Sequence, residues 1–118
     1  KYLKSQIITL KKILPETSFL IIGPADMSVK VGTEYQTHPQ LENLRNAIRK
    51  AAFETDCAFW DMYEVMGGRN SMVTWIEQEI AATDYIHFSP GGARKIATLL
   101  YTALITEYTN YLNYSSIK

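Results

Sequence analysis

The chain lacks most of what would tie it to a charged partner or a membrane. Its 12 Lys and Arg are matched by 12 Asp and Glu, so the formal net charge is zero. A neutral chain has no electrostatic footing on nucleic acid or an anionic membrane surface. No apolar run approaches the roughly 20 residues that a helical membrane span needs. One cysteine, Cys57, excludes an internal disulfide and so says nothing of redox compartment. No N-terminal segment has the pattern of a signal peptide, although the chain opens on Lys1 rather than methionine, which removes the weight of that absence. Repeats, low-complexity tracts and interdomain linkers are also missing. What is present is an ordinary globular composition, 47% apolar and 20% charged over 118 residues, which suits one domain or a piece of one.

Leu3, Ile7, Leu10 and Leu14 fall at helical spacing with Lys4, Lys11 and Lys12 off the stripe, which predicts an amphipathic helix over 2–14 stopped by Pro15. Ser18 to Ile22 is a short apolar run before Gly23-Pro24, expected to be a strand buried on both faces. Residues 23–38 read as a polar loop. A second helix begins near Pro39, with Leu41, Leu44, Ile48, Ala51 and Ala52 on one face, and Cys57 to Trp60 forms a second strand ending at Asp61. Strand, helix and strand in this order make a βαβ unit with parallel strands. A third helix is expected over 70–82, carrying Met72, Trp75, Ile76 and Ile80. The last begins after Ser89 as N-cap and Pro90 as first helical residue, with Ile96, Leu99, Leu100, Ala103 and Leu104 as its buried stripe. Two strands are few for a parallel sheet. Either a second chain pairs with the exposed sheet edge or further strands belong to the same fold.

The chemistry concentrates in Thr83-Asp84-Tyr85-Ile86-His87-Phe88-Ser89-Pro90-Gly91-Gly92. A carboxylate three residues before a histidine, on a turn running into a helix, has the residue types of two thirds of a Ser–His–Asp triad. The histidine takes a proton from a hydroxyl and the carboxylate fixes its tautomer. In an α/β fold, loops at the C-terminal edge of the strands form the ligand crevice. No nucleophile motif accompanies the pair. Ser89 is better explained as a helix cap than as a nucleophile, and Cys57 opens a strand, where it reads as a buried structural thiol. Asp61 ends the second strand at the crevice edge, where it either touches substrate or bonds to a neighbouring loop. His38 reads as solvated, and two isolated histidines make no metal site. Tyr101, Tyr108, Tyr111 and Tyr114 partly follow a helical stripe suited to packing.

The stretch Asp84-Tyr85-Ile86-His87-Phe88-Ser89-Pro90-Gly91-Gly92-Ala93-Arg94-Lys95-Ile96-Ala97 resembles the last conserved block of the SGNH, or GDSL-like, esterases and acylhydrolases. Phe19 to Ile22 followed by Gly23-Pro24 looks like that family's fourth strand, and Ala58 to Tyr63 like its fifth. Trp60 to Arg69 is similar to a subgroup that includes carbohydrate and peptidoglycan O-acetylesterases. The resemblance implies a three-layer α/β/α fold, flavodoxin-like in the broad sense, of which residues 1–118 are the C-terminal part of a single domain. It also implies a serine ester hydrolase acting on short acyl or acetyl groups of a carbohydrate, with His87 as general base, Asp84 orienting it, no cofactor, and an exported location. Arg69, in the Gly67-Gly68-Arg69 loop, could hold an anionic group of a sugar or be a solvated turn residue.

The family's G-D-S nucleophile block, the glycine of its second block and its G-x-N-D block have no counterpart here. Gly68-Arg69-Asn70 has the letters of the last, but Ser71 follows it. The nucleophile is therefore expected upstream of Lys1. The alternative is a non-catalytic binding module, or one that dimerises through its sheet edge.

Overall fold

In the computed structural model, which describes residues 2–117, α1 spans Tyr2–Ile13 and carries Lys11 and Lys12 in its last turn, where cations are stabilised by the negative end of the helix dipole. Strand β1 (Leu20–Ile22) follows, then β2 (Ser28–Val31), β3 (Glu34–Thr37), α2 (Leu41–Phe53) and β4 (Ala58–Trp60). The short α3 (Met62–Met66), α4 (Ser71–Glu77) and the long α5 (Pro90–Ser116) complete the order. The fold class is α/β. β1 and β4 pair in parallel, with Leu20 opposite Ala58 and Ile22 opposite Trp60, as the βαβ pattern predicts.

Three layers result. On one face of the parallel pair, Ile21 and Phe59 pack with Ile7 and Leu3 of α1 and Ala52 of α2, around the buried thiol of Cys57. On the other, Leu20, Ala58 and Trp60 face Leu100, Ala103 and Leu104 of α5 across a groove of about 190 Å³. A second cluster joins Met66, Met72, Trp75, Ala81 and Ile96, with Trp60 and Phe88 against it. It sits under the Asp84–His87 turn.

Four expectations change. Residues 23–38 are not a loop: β2 and β3 form an antiparallel hairpin, Ser28 opposite Thr37 and Val31 opposite Glu34. Its two-residue turn puts Gly32 first at φ 66°, the left-handed conformation that such hairpins place on glycine. The expected helix over 70–82 stops at Glu77, because Glu79 turns left-handed (φ 60°) and the chain doubles back so that Ala81 bridges Phe88. Ile80 still reaches the same core from that turn, which is why the apolar spacing outlasts the helix. β1 is not buried on both faces, since Leu20 and Ile22 are exposed, and Leu10, Leu14, Leu44 and Leu104 of the expected helical stripes are exposed as well.

The edge of β1 is open. The Ala58 N–H donates to the Phe19 carbonyl (3.0 Å) and the Gly23 N–H to the Trp60 carbonyl (2.8 Å). Alternate residues of a parallel strand face opposite neighbours, so Leu20 and Ile22 turn their main-chain groups away from β4. Among the described residues no strand pairs with them. No helix among the described residues is long and apolar enough to cross a membrane.

Candidate active site

The turn Asp84–His87 is built from its own first residue. The Asp84 Oδ1 accepts the backbone N–H groups of Ile86 (2.9 Å) and His87 (3.0 Å), while Oδ2 lies 2.7 Å from His87 Nδ1. Three donors on one carboxylate favour its charged form. The His87 backbone N–H, then the His87 ring, then the Ile86 N–H hold the Asp84 carboxyl down at about 2. An ionised Asp84 accepts only, so in the neutral imidazole of His87 the proton lies on Nδ1 and Nε2 presents its lone pair. The imidazole is 76% exposed, open to a reacting group from outside.

Neighbouring segments hold the turn. The Ala82 N–H donates to the His87 carbonyl (2.8 Å) and the Tyr85 N–H to the Ala82 carbonyl (3.2 Å). Ser89 caps α5 as expected: its hydroxyl accepts the Gly92 N–H (3.3 Å) and donates to the Glu79 carbonyl (3.2 Å). This explains Ser89 without nucleophilic chemistry. From the far side, the Ser28 N–H of β2 donates to the Tyr85 carbonyl (3.0 Å) and Tyr35 of β3 stacks on the Tyr85 ring. Tyr85 has φ 64°, a conformation that costs a residue with a Cβ about 1–2 kcal/mol.

The other candidate residues are held elsewhere. Asp61 accepts the Glu64 N–H at the start of α3 and takes a two-pronged guanidinium from Arg45, with Nε and Nη2 at 2.8 and 2.6 Å from Oδ2. Both side chains are largely buried, and planar forks of this kind are the strong ion pairs. Arg69 is paired with Glu42 (2.8 Å), which also accepts the Tyr63 hydroxyl (2.8 Å). The Tyr63 bond and then the Arg69 fork lower the Glu42 carboxyl. Burial, then the bond to Glu42, pushes the Tyr63 phenol up to about 12. Among the described residues no hydrogen bond or ion pair joins Asp61 or Arg69 to Asp84 or His87. His38 accepts the Gln40 N–H and is half-buried rather than fully solvated. No group of three or more His, Cys, Asp or Glu among the described residues is placed to hold a metal ion.

Two contributors escaped the sequence. Tyr35 lies in the segment taken for loop, although alternation on either side of Gly32-Thr33 was a hairpin signal. Asp26 is fully buried and accepts the Thr37 hydroxyl (2.9 Å), the Met72 N–H (2.9 Å) and the Ser71 hydroxyl (3.4 Å). A lone aspartate after Gly-Pro-Ala carries no local mark of that role.

No family model matches the sequence, and no curated protein matches it. Among solved structures, the fold is similar to that of a peptidoglycan O-acetylesterase, with a TM-score of 0.85, 28% sequence identity and 91% of this chain covered. The match takes in 31% of the other chain, so these 118 residues span about a third of the length of the esterase they resemble.

Proposed function

We propose that this chain supplies the acid–base part of a serine ester hydrolase that removes short acyl groups, acetyl above all, from a carbohydrate. The observation that carries this is the 2.7 Å contact between Asp84 Oδ2 and His87 Nδ1, with Nε2 free on an exposed ring. Likeness to an O-acetylesterase supports it, as does the open edge of β1, which suits continuation of the sheet by strands outside these residues.

His87 Nε2 takes the proton of a serine hydroxyl as the oxygen attacks the ester carbonyl, and the imidazolium is stabilised by Asp84. The same proton passes to the sugar oxygen as its bond to the acyl carbon breaks, releasing a sugar hydroxyl and leaving an acyl-enzyme. His87 then takes a proton from water, which attacks the acyl carbonyl, and returns it to the serine as acetate leaves. The serine and the oxyanion donors belong to the part of the protein outside this chain. Arg69 keeps an exposed guanidinium, so an anionic sugar substituent would compete with Glu42 for it. Asp61, engaged by Arg45 and α3, shapes the crevice edge instead of meeting substrate. An exported location is part of this proposal and rests on the resemblance of the sequence to the SGNH esterases.

The test is hydrolysis of an aryl acetate by the complete protein. Asp84→Asn should lower kcat on the order of 10⁴-fold, and His87→Ala at least about 10²-fold. A His87→Ala variant within tenfold of the parent, a factor smaller than about 10² for a positioned base, would remove His87 from the mechanism.

A further inference from the structure

Between the acid and the base lies a residue in the wrong conformation for its type. Tyr85 sits at φ 64°, where glycine or asparagine is at home and a bulky side chain is not. A non-glycine residue stays there only when its surroundings over-determine it. Two of the contacts that hold Tyr85 come from the hairpin. The Ser28 N–H fixes its carbonyl at 3.0 Å, and the Tyr35 ring covers its ring, with centroids 3.6 Å apart and planes 3° from parallel.

The hairpin is anchored well enough to exert that hold. At its base, the Thr37 N–H donates to Asn70 Oδ1 (2.9 Å) while the Asn70 N–H donates back to Thr37 Oγ1 (2.7 Å). The same Thr37 hydroxyl donates to the buried Asp26, which also holds the start of α4. One end of β3 is therefore tied to the core, and Tyr35, two residues away, reaches the turn.

We propose that Tyr35 is a positioning residue for the Asp84–His87 pair. Its ring holds Tyr85 left-handed, and the left-handed Tyr85 lets Asp84 bond the two following N–H groups and the imidazole at once. The proposal rests on the reading of this pair as an acid–base couple. Its test reads the pair directly, without reference to ester hydrolysis.

The Asp84 carboxyl is titrated by carbon NMR in the protein and in Tyr35→Phe, Tyr35→Ala, Tyr85→Gly and the Tyr35→Ala/Tyr85→Gly double variant. The parent should titrate well below the ordinary 3.8, at about 2, and Tyr35→Phe, which keeps the ring, should stay there. Tyr35→Ala moves the titration upward by about one unit, the size of effect expected when hydrogen bonds to a carboxylate loosen. Tyr85→Gly loses the stack too, so adding Tyr35→Ala to it produces no further shift. A Tyr35→Ala variant that titrates like the parent, or shifts that add in the double variant, would overturn the proposal. In the complete protein Tyr35→Ala should lower kcat about tenfold with KM unchanged, as for a misplaced group that does not bind substrate. An inactive parent with the expected Asp84 shifts would sink the esterase reading and leave the clamp standing.

Discussion

Gly92 is where a single missing carbon decides the local structure. A Cβ there would lie 1.8 Å from the Ile80 carbonyl oxygen and 3.0 Å from its carbon. Both are backbone atoms of a strand-like segment, and that carbonyl also accepts the Ser89 N–H (3.3 Å). Gly92→Ala must push α5 away from this segment. We expect a loss of about 1–3 kcal/mol, the usual range for overpacking, visible as a lower urea midpoint with an unchanged slope. A stability equal to the parent would mean that α5 shifts freely, against the geometry of its capped start. The cap itself was legible, because Ser89-Pro90 is a local signal read by the first turn of the helix. The need for glycine two residues later was not. It arises from Ile80, twelve residues upstream, and no local pattern reports a contact at that separation.

Among the elements, the hairpin and α4 depend on one buried carboxylate. Asp26 answers the Thr37 hydroxyl on β3 and the Ser71 hydroxyl and Met72 N–H on α4. Asp26→Ala would leave these donors buried without an acceptor, at about 1–3 kcal/mol for each. We expect Asp26→Ala to cost at least about 3 kcal/mol in chemical denaturation and Asp26→Asn less, since the amide keeps one acceptor oxygen. Equal losses in the two variants would show that the complete carboxylate is required, since asparagine keeps both the volume and one acceptor oxygen. The elements that the sequence made plain are those with many turns or an unbroken apolar run, α1, β1, α2, β4 and α5. The hairpin was hidden because β2 and β3 have four residues each and one mostly exposed face, so their alternation is brief and polar. α4 was drawn too long because Ile80 keeps helical spacing while lying beyond the helix end.

For the whole molecule, pH sets the stability through a few groups that have different partners once folded. Asp84, Glu42 and Glu54 are all held below their ordinary values, by the His87 N–H, the Tyr63 hydroxyl and the Lys4 ammonium respectively. A depressed carboxyl adds stability above its unfolded value and loses it as pH falls through its folded one. For Asp84 that window runs from 3.8 down to about 2. Tyr63 behaves in the opposite sense. Its phenol is raised from 10.0 to about 12, so the folded state keeps a proton that the unfolded chain releases, and stability falls as pH climbs between those values. Urea titrations across pH should show a plateau with losses at both ends. Glu42→Gln should soften the acid limb, and Tyr63→Phe the alkaline one. An alkaline limb unchanged by Tyr63→Phe would remove Tyr63 from this account.

The uncovered edge of β1 has a colloidal consequence. Leu20 and Ile22 expose side chains together with main-chain groups that no strand among the described residues pairs, and an unprotected strand edge is a template for another. Repulsion between molecules normally keeps such edges apart, but 12 positive and 12 negative side chains leave this one with no net charge near pH 7. For these 118 residues by themselves, self-association through β1 is therefore least opposed near neutrality and more strongly opposed at acidic or alkaline pH, where the charges no longer balance, and strands that continue the sheet would remove it.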